Sequence, residues 1–234
     1  MGKAGAPEFM IRISSGSFWM GSEERYAWES PKHNVFIDAF DMAPTSVTRR
    51  EYAEFLHDTS HKEPKGWTAP AFANPDQPVV GVNWFDAVAY CEWLGRLKGE
   101  FYRLPTEAEW EKACRGGHTD AEFAWGNESP ESLEYFQGEW LAPRPVAQWR
   151  PNDFGLFNMG DNVHEWCLDW FAADYYAMSP ERNPAGPLTG SRRVSRGGSW
   201  RHQIKGSRAA HRSSLPPEFR YTDYGFRIVR PVPL

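Results

Sequence analysis

Arg196-Gly197-Gly198-Ser199-Trp200, then Arg208-Ala209-Ala210-His211-Arg212, Pro216-Pro217 and finally Gly225-Phe226-Arg227 form the stretch that decides how this chain folds. Its arginines are interleaved with glycines and large rings, and no helical period of useful length runs through it. The Gly197-Gly198 pair permits close backbone approach. It does not read as a phosphate cradle, because neither a lysine nor a helix start follows as in a P-loop. Arginines dispersed in this way, in a chain of net charge −5, leave no cationic excess to neutralise phosphates. Nucleic acid is therefore not an expected partner.

Outward from this stretch, 234 residues with 41% apolar content can bury one sizeable core, so a single domain is expected. Twelve tryptophans, 19 prolines and 20 glycines describe a chain that fills its core with rings and turns often, which leaves little room for long helices or wide sheets. No apolar run approaches the ~18 residues of a membrane span, and no basic region followed by a hydrophobic one opens the chain. Membrane is excluded as an expected partner, and a soluble, cytoplasmic monomer is expected. Residues 1–9 (MGKAGAPEF) precede a second methionine and read as a vector remnant, leaving 10–234 as the domain.

Ile11-Arg12-Ile13 and Ser17 to Ser22 alternate at period two and predict a hairpin, with a further strand over Val35 to Phe40. Thr48 with Glu51, Asn83 with Asp86, and Thr106 with Glu109 each set a capping residue three positions before an acid. They predict a first helix that turns Tyr52, Phe55 and Leu56 inward and a second that buries Ala87, Val88, Cys91 and Leu94 and ends near Gly99. The third is short and stops by Arg115-Gly116-Gly117. Glu107, Glu109 and Glu111 fall in that third helix, where capping and the helix dipole account for acids without any chemistry. From Ala121 onward, loops and short strands are expected.

These elements carry a resemblance. Gly16 to Ser22, Val47-Thr48, Pro78 to Trp84, Asp86 to Cys91, Arg103 to Glu111, Trp125-Gly126-Asn127, Phe154 to Met159, Asn162-Val163-His164-Glu165-Trp166 and the C-terminal stretch occur in the order seen in the formylglycine-generating enzyme, or sulfatase-modifying-factor, family. The chain resembles that family over nearly its whole length after the first residues. The resemblance implies an α+β fold: a formylglycine-generating-enzyme-like variant of the C-type lectin fold, low in regular secondary structure, with about three short helices and short antiparallel strands.

The implied chemistry meets an obstacle. Enzymes that the chain resembles oxidise a cysteine of a sulfatase with oxygen and a copper ion held by two thiolates a few residues after the Gly-Gly-Ser motif. Here those positions fall on His202 and near Ile204. Soft thiolates suit Cu(I) and no other side-chain pair replaces them, so copper is not expected. The resemblance also pairs the positions of Cys91 and Cys114 with C-terminal cysteines, whose places are taken by Ile228 and Ala209. Cys91, Cys114 and Cys167 are expected as buried free thiols. A structural calcium ion is implied at Asn162 and Glu165, because oxygen ligands of that kind suit calcium.

Other constellations are weaker. His57 and His61 sit one turn apart at the end of the first helix, where imidazoles favour the negative pole as readily as they bind metal. Ser199, His202 or His211, and Asp223 have the residue types of a hydrolytic triad, but spacing does not orient them.

Without the thiolates, the C-terminal segment becomes a binding surface. Trp200, Arg201, His202, Gln203, Lys205, His211, Ser213, Tyr221, Asp223 and Tyr224 supply rigid rings and adaptable polar groups of the kind that dominate binding loops. The expected function is recognition of a protein partner or small ligand, as in retroelement-diversified or toxin-immunity relatives of this fold. The alternative is a divergent sulfatase-maturation enzyme or a metal-dependent oxygenase.

Overall fold

A computed structural model of the chain describes residues 10–202 and 206–232. Three helices begin at the three capping boxes. In α1 (Arg49–Thr59) the Glu51 carboxylate accepts from Thr48 N at 2.7 Å. In α2 (Trp84–Lys98) Asn83 and Asp86 exchange the same pair of bonds, and Gly99 closes the helix with φ 70°. α3 (Glu107–Cys114) opens on Thr106 and Glu109 and is eight residues long. Among the described residues no helix is long and apolar enough to cross a membrane.

The strands are short: β1 (Ile11–Ile13), β2 (Gly16–Met20), β3 (His33–Ile37), β4 (Phe40–Met42), β5 (His164–Trp170), β6 (Arg193–Arg196), β7 (Arg212–Leu215), β8 (Tyr224–Gly225) and β9 (Val229–Pro231). The expected hairpin between the first two does not form. β1 joins the sheet β1-β4-β9, whereas β2 pairs with β3. The Lys112 ammonium, reaching from α3, accounts for the parting. It donates to Ser14 O at 2.7 Å and Gly16 O at 3.0 Å, so the carbonyls at the break are held by α3 rather than by a hairpin partner. The strand expected over Val35 to Phe40 likewise breaks at Asp38, whose N–H donates to Asn183 Oδ1 at 2.9 Å. The third sheet runs β7-β6-β5-β8; the strands of the three sheets pair antiparallel as expected except at the β5–β8 contact, which is parallel.

Strand β5 separates two cores. Successive side chains of a strand point to opposite faces, so Trp166 enters a core with Tyr52, Phe55, Tyr90, Trp93 and Phe226, while Cys167 enters a second with Ile37, Phe40, Met42 and Trp110. The fully buried Glu165 lies on the same side as Cys167.

The arginines of the C-terminal stretch lock onto buried acids between these layers. Arg227 grips Glu165 at 2.7 and 2.8 Å, Arg212 grips Glu107 at 2.7 and 2.9 Å, and Arg208 grips Glu29 at 2.7 and 2.9 Å. Arg196 and Arg115 share Glu111. Of the three helix acids, Glu109 caps the helix and also holds Arg103, Glu107 is the counter-ion of the remote Arg212, and Glu111 serves both the remote Arg196 and Arg115 one turn on. Burial would raise the Glu111 carboxyl, but the Arg115 and Arg196 charges override it and hold it below the usual carboxylate range.

Removing one partner from such a pair strands the other in low dielectric at a cost of about 3–5 kcal/mol. Equilibrium urea unfolding of Glu111→Gln should show a loss of that size. Asp76→Asn, which breaks the exposed Arg50–Asp76 pair, should leave the unfolding midpoint nearly unchanged.

Candidate functional site

The parallel β5–β8 contact sets His164 opposite Tyr224, and His164 N donates to Asp223 O at 2.9 Å. Two side chains from distant parts of the chain therefore share the floor of one cleft. Its walls are Arg201 and His202 from the turn after Trp200, His211 and Ser213 at the start of β7, and Tyr221 at the rim. The cleft holds about 350 Å³, within the range of ligand sites. Among the described residues, clefts of about 470 and 580 Å³ open beside Arg208, with Arg115 lining the first, and one of about 370 Å³ opens beside Arg103. The Arg208 and Arg115 guanidiniums there are already closed by Glu29 and Glu111.

The turn that carries His202 is pinned from behind. Gly198 N donates to Gly160 O at 3.0 Å, Trp200 N to Asn162 O at 2.7 Å, and His202 N to Ser199 O at 2.9 Å. Gly197 adopts φ 80°, and a Cβ there would lie 3.3 Å from the Trp110 ring and 3.4 Å from Gly160. The absent side chain lets this backbone nest beside Trp110. From that position Gly197 O meets His164 Nδ1 at 2.5 Å. A carbonyl only accepts, so Nδ1 carries the proton and Nε2 keeps its lone pair. Burial lowers the His164 pKa to about 4, against the opposing pull of Asp223.

Asp223 is 3% exposed and accepts from Ser199 Oγ at 3.2 Å. His202 Nε2 stands 3.8 Å from the same carboxylate, on a side chain 56% exposed. This order of contacts overturns the triad. The buried Ser199 hydroxyl donates to the acid, and among the described residues no imidazole is placed to take its proton as a triad requires.

The expected binding residues do not all meet in the cleft. Arg201, His202, His211, Ser213, Tyr221, Asp223 and Tyr224 line it. Trp200 stands behind, its indole donating to Thr222 O at 3.1 Å with Arg201 over its ring. His211 is partly turned away, with Nδ1 3.6 Å from Glu29. Gln203 and Lys205 lie outside the described residues. His164 was not singled out from the sequence. Its signal was there, since a strand that buries Glu165 on one face must present His164 on the other.

The calcium ligands do not fit the ion. Both Glu165 oxygens are taken by Arg227, with Trp110 Nε1 and Ser46 Oγ donating at 2.7 Å each. Asn162 exchanges both amide bonds with the Arg144 backbone at 2.9 Å. A carboxylate saturated by a guanidinium and two neutral donors has no lone pair free for a hard cation. A dithiolate copper ion fits no better, because Cys91, Cys114 and Cys167 are free, buried and dispersed between the two cores. Burial pushes all three thiols up, Cys114 to about 12. His57 and His61 also separate, as His61 Nε2 bonds Asp86 at 2.9 Å and His57 Nδ1 meets Asp58.

The Sulfatase-modifying factor enzyme 1-like domain family matches residues 2–232. The chain belongs to that family. The formylglycine-generating enzyme of Streptomyces coelicolor is 34% identical over 93% of this chain and 87% of its own length. Among solved structures, PvdO from Pseudomonas aeruginosa superposes with TM-score 0.82 at 27% identity, covering 95% of this chain and 94% of that one. Treponema denticola variable protein 1 superposes with TM-score 0.81 at 26% identity, covering 95% of each. The fold is the α+β, formylglycine-generating-enzyme-like variant of the C-type lectin fold.

A histidine whose folded pKa lies below its unfolded value near 6.5 leaves the unfolded state with more bound protons, so stability falls as pH drops from about 6.5 to about 4. NMR titration of the His164 ring should give a midpoint near 4. The stability difference between the native protein and His164→Asn should shrink across that same window.

Proposed function

We propose that this member of the sulfatase-modifying factor family is a non-catalytic recognition domain, with the cleft over His164 and Asp223 as its binding site for a protein segment or small ligand. The carrying observation is the separation of thiols from cleft: no cysteine lines it, while Tyr221, Arg201, His202 and Ser213 do. These side chains offer a ring for stacking, a planar cationic fork and neutral donors on a backbone held from behind. Three unpaired thiols suit a reducing, cytoplasmic setting. Formylglycine formation, named for the Streptomyces relative, is not carried over, because it rests on chemistry for which this cleft has no thiolate.

Affinity capture from native cells, with mass spectrometry of both proteins and small molecules, should recover an occupant. Calorimetry with the purified occupant should then show Tyr221→Ala and Arg201→Ala each weakening binding by at least about 10-fold, the scale of an interface hot spot. An occupant bound equally by both variants overturns the proposal. So does conversion of a sulfatase-derived cysteine peptide to formylglycine by the native protein.

A further inference from the structure

The cleft floor contains a grouping that ligand recognition alone does not require. His164, His202 and Asp223 each offer one ligand atom, and these atoms lie within 4.8 Å of one another. We propose that the three side chains form a binding site for a divalent first-row transition ion, with its remaining coordination positions open to the cleft. This site shares the recognition cleft but does not depend on the recognition reading.

Each donor is prepared differently. His164 has Nδ1–H committed to Gly197 O at 2.5 Å, which leaves Nε2 as the available ligand atom. Anchoring of the far ring nitrogen by a carbonyl is the usual arrangement of a metal-bound imidazole, because it fixes both tautomer and ring plane. Asp223 is oriented by Ser199 Oγ at 3.2 Å. The two residues are held in register by the β5–β8 contact, so a pair of ligands exists before any ion arrives. His202 is the adjustable member, 56% exposed and 3.8 Å from Asp223. Donors around one ion at about 2.1 Å sit closer together than this, and a rotation of the exposed His202 ring closes the gap.

The charge state of the floor supports the assignment. Glu29, Glu107, Glu111 and Glu165 are buried and each is closed by an arginine. Asp223 is as buried, yet among the described residues its nearest cationic candidate is His202 at 3.8 Å. A cation held beside this carboxylate would supply a counter-charge that the neutral Ser199 hydroxyl does not. Two imidazoles and one carboxylate are borderline donors, which favour Fe(II), Co(II), Ni(II) or Zn(II) over calcium, magnesium or Cu(I). Three protein ligands leave coordination positions open to the cleft. An ion here would take a neutral or anionic donor atom of the cleft's occupant as a further ligand.

Cobalt(II) is the probe, because its bound form absorbs visible light. Chelator-treated protein titrated with Co(II) should develop visible bands that saturate at one ion per chain, and Zn(II) should displace them. His202→Ala, at an exposed position, and Asp223→Asn, which keeps the acceptor for Ser199, should each weaken binding by at least about 10-fold. Circular dichroism and thermal unfolding confirm that both variants fold. Tyr221→Ala should bind Co(II) as the native protein does, which separates failure of the metal site from failure of the recognition surface. Absence of saturable binding, or affinity unchanged in both His202→Ala and Asp223→Asn, overturns the proposal.

Discussion

The Glu165–Arg227 pair is the constraint on which the structure depends. Glu165 stands on β5 between the two cores, and Arg227 arrives from beyond β8 to take both its oxygens while donating to Phe157 O. Arg212 on Glu107, Arg196 on Glu111 and Arg208 on Glu29 repeat the device along the C-terminal stretch. A chain with three short helices and strands of two to seven residues has few backbone ladders to hold distant segments together. Buried ion pairs with several hydrogen bonds each do that here, and they specify which loop lies where because a misplaced partner would leave a bare charge inside.

That lattice also shapes the cleft. With Arg196 and Arg212 drawn inward to α3, Arg201 and His202 are the exposed members of the described residues between them, and the turn from Gly197 to His202 is pressed against Gly160 and Asn162. Strand β5 then divides the labour by its alternation: Glu165, Cys167 and Asp169 face the charged layer, while the buried His164 lies on the opposite face, at the floor of the cleft. The same geometry that occupies Glu165 with an arginine removes it as a calcium ligand, and it delivers His164 to Asp223 instead. The cleft thus keeps an organised polar floor although no thiol reaches it.

Much of the architecture was legible in the chain itself. The three helices start at the predicted caps because a hydroxyl or amide followed three residues later by an acid satisfies exposed N–H groups whatever the tertiary context. The thiols are free and buried as expected. Strand pairing was less legible. Nothing local to Ser14-Ser15-Gly16 reveals that Lys112 of α3 will claim the carbonyls there, so the hairpin expected between β1 and β2 gave way to pairing in two different sheets. Glu107 looked like a helix-dipole acid because its partner Arg212 is remote in sequence, and for Glu111 only Arg115, one turn on, was within local reach, Arg196 being remote.

By itself, then, the sequence determined the family, the capped helices, the lack of thiolates after the Gly-Gly-Ser motif and most of the residues that line the cleft. These are properties of residue identity and short spacing, and short-range sterics and hydrogen bonding decide them. Only the tertiary structure decided that Ser199 serves Asp223 instead of a histidine, that Glu165 and Asn162 are spent on protein partners, and that His164 joins His202 and Asp223. Those outcomes depend on which face of β5 meets which loop. That is set by the parallel pairing with β8 and by buried charges finding partners far along the chain.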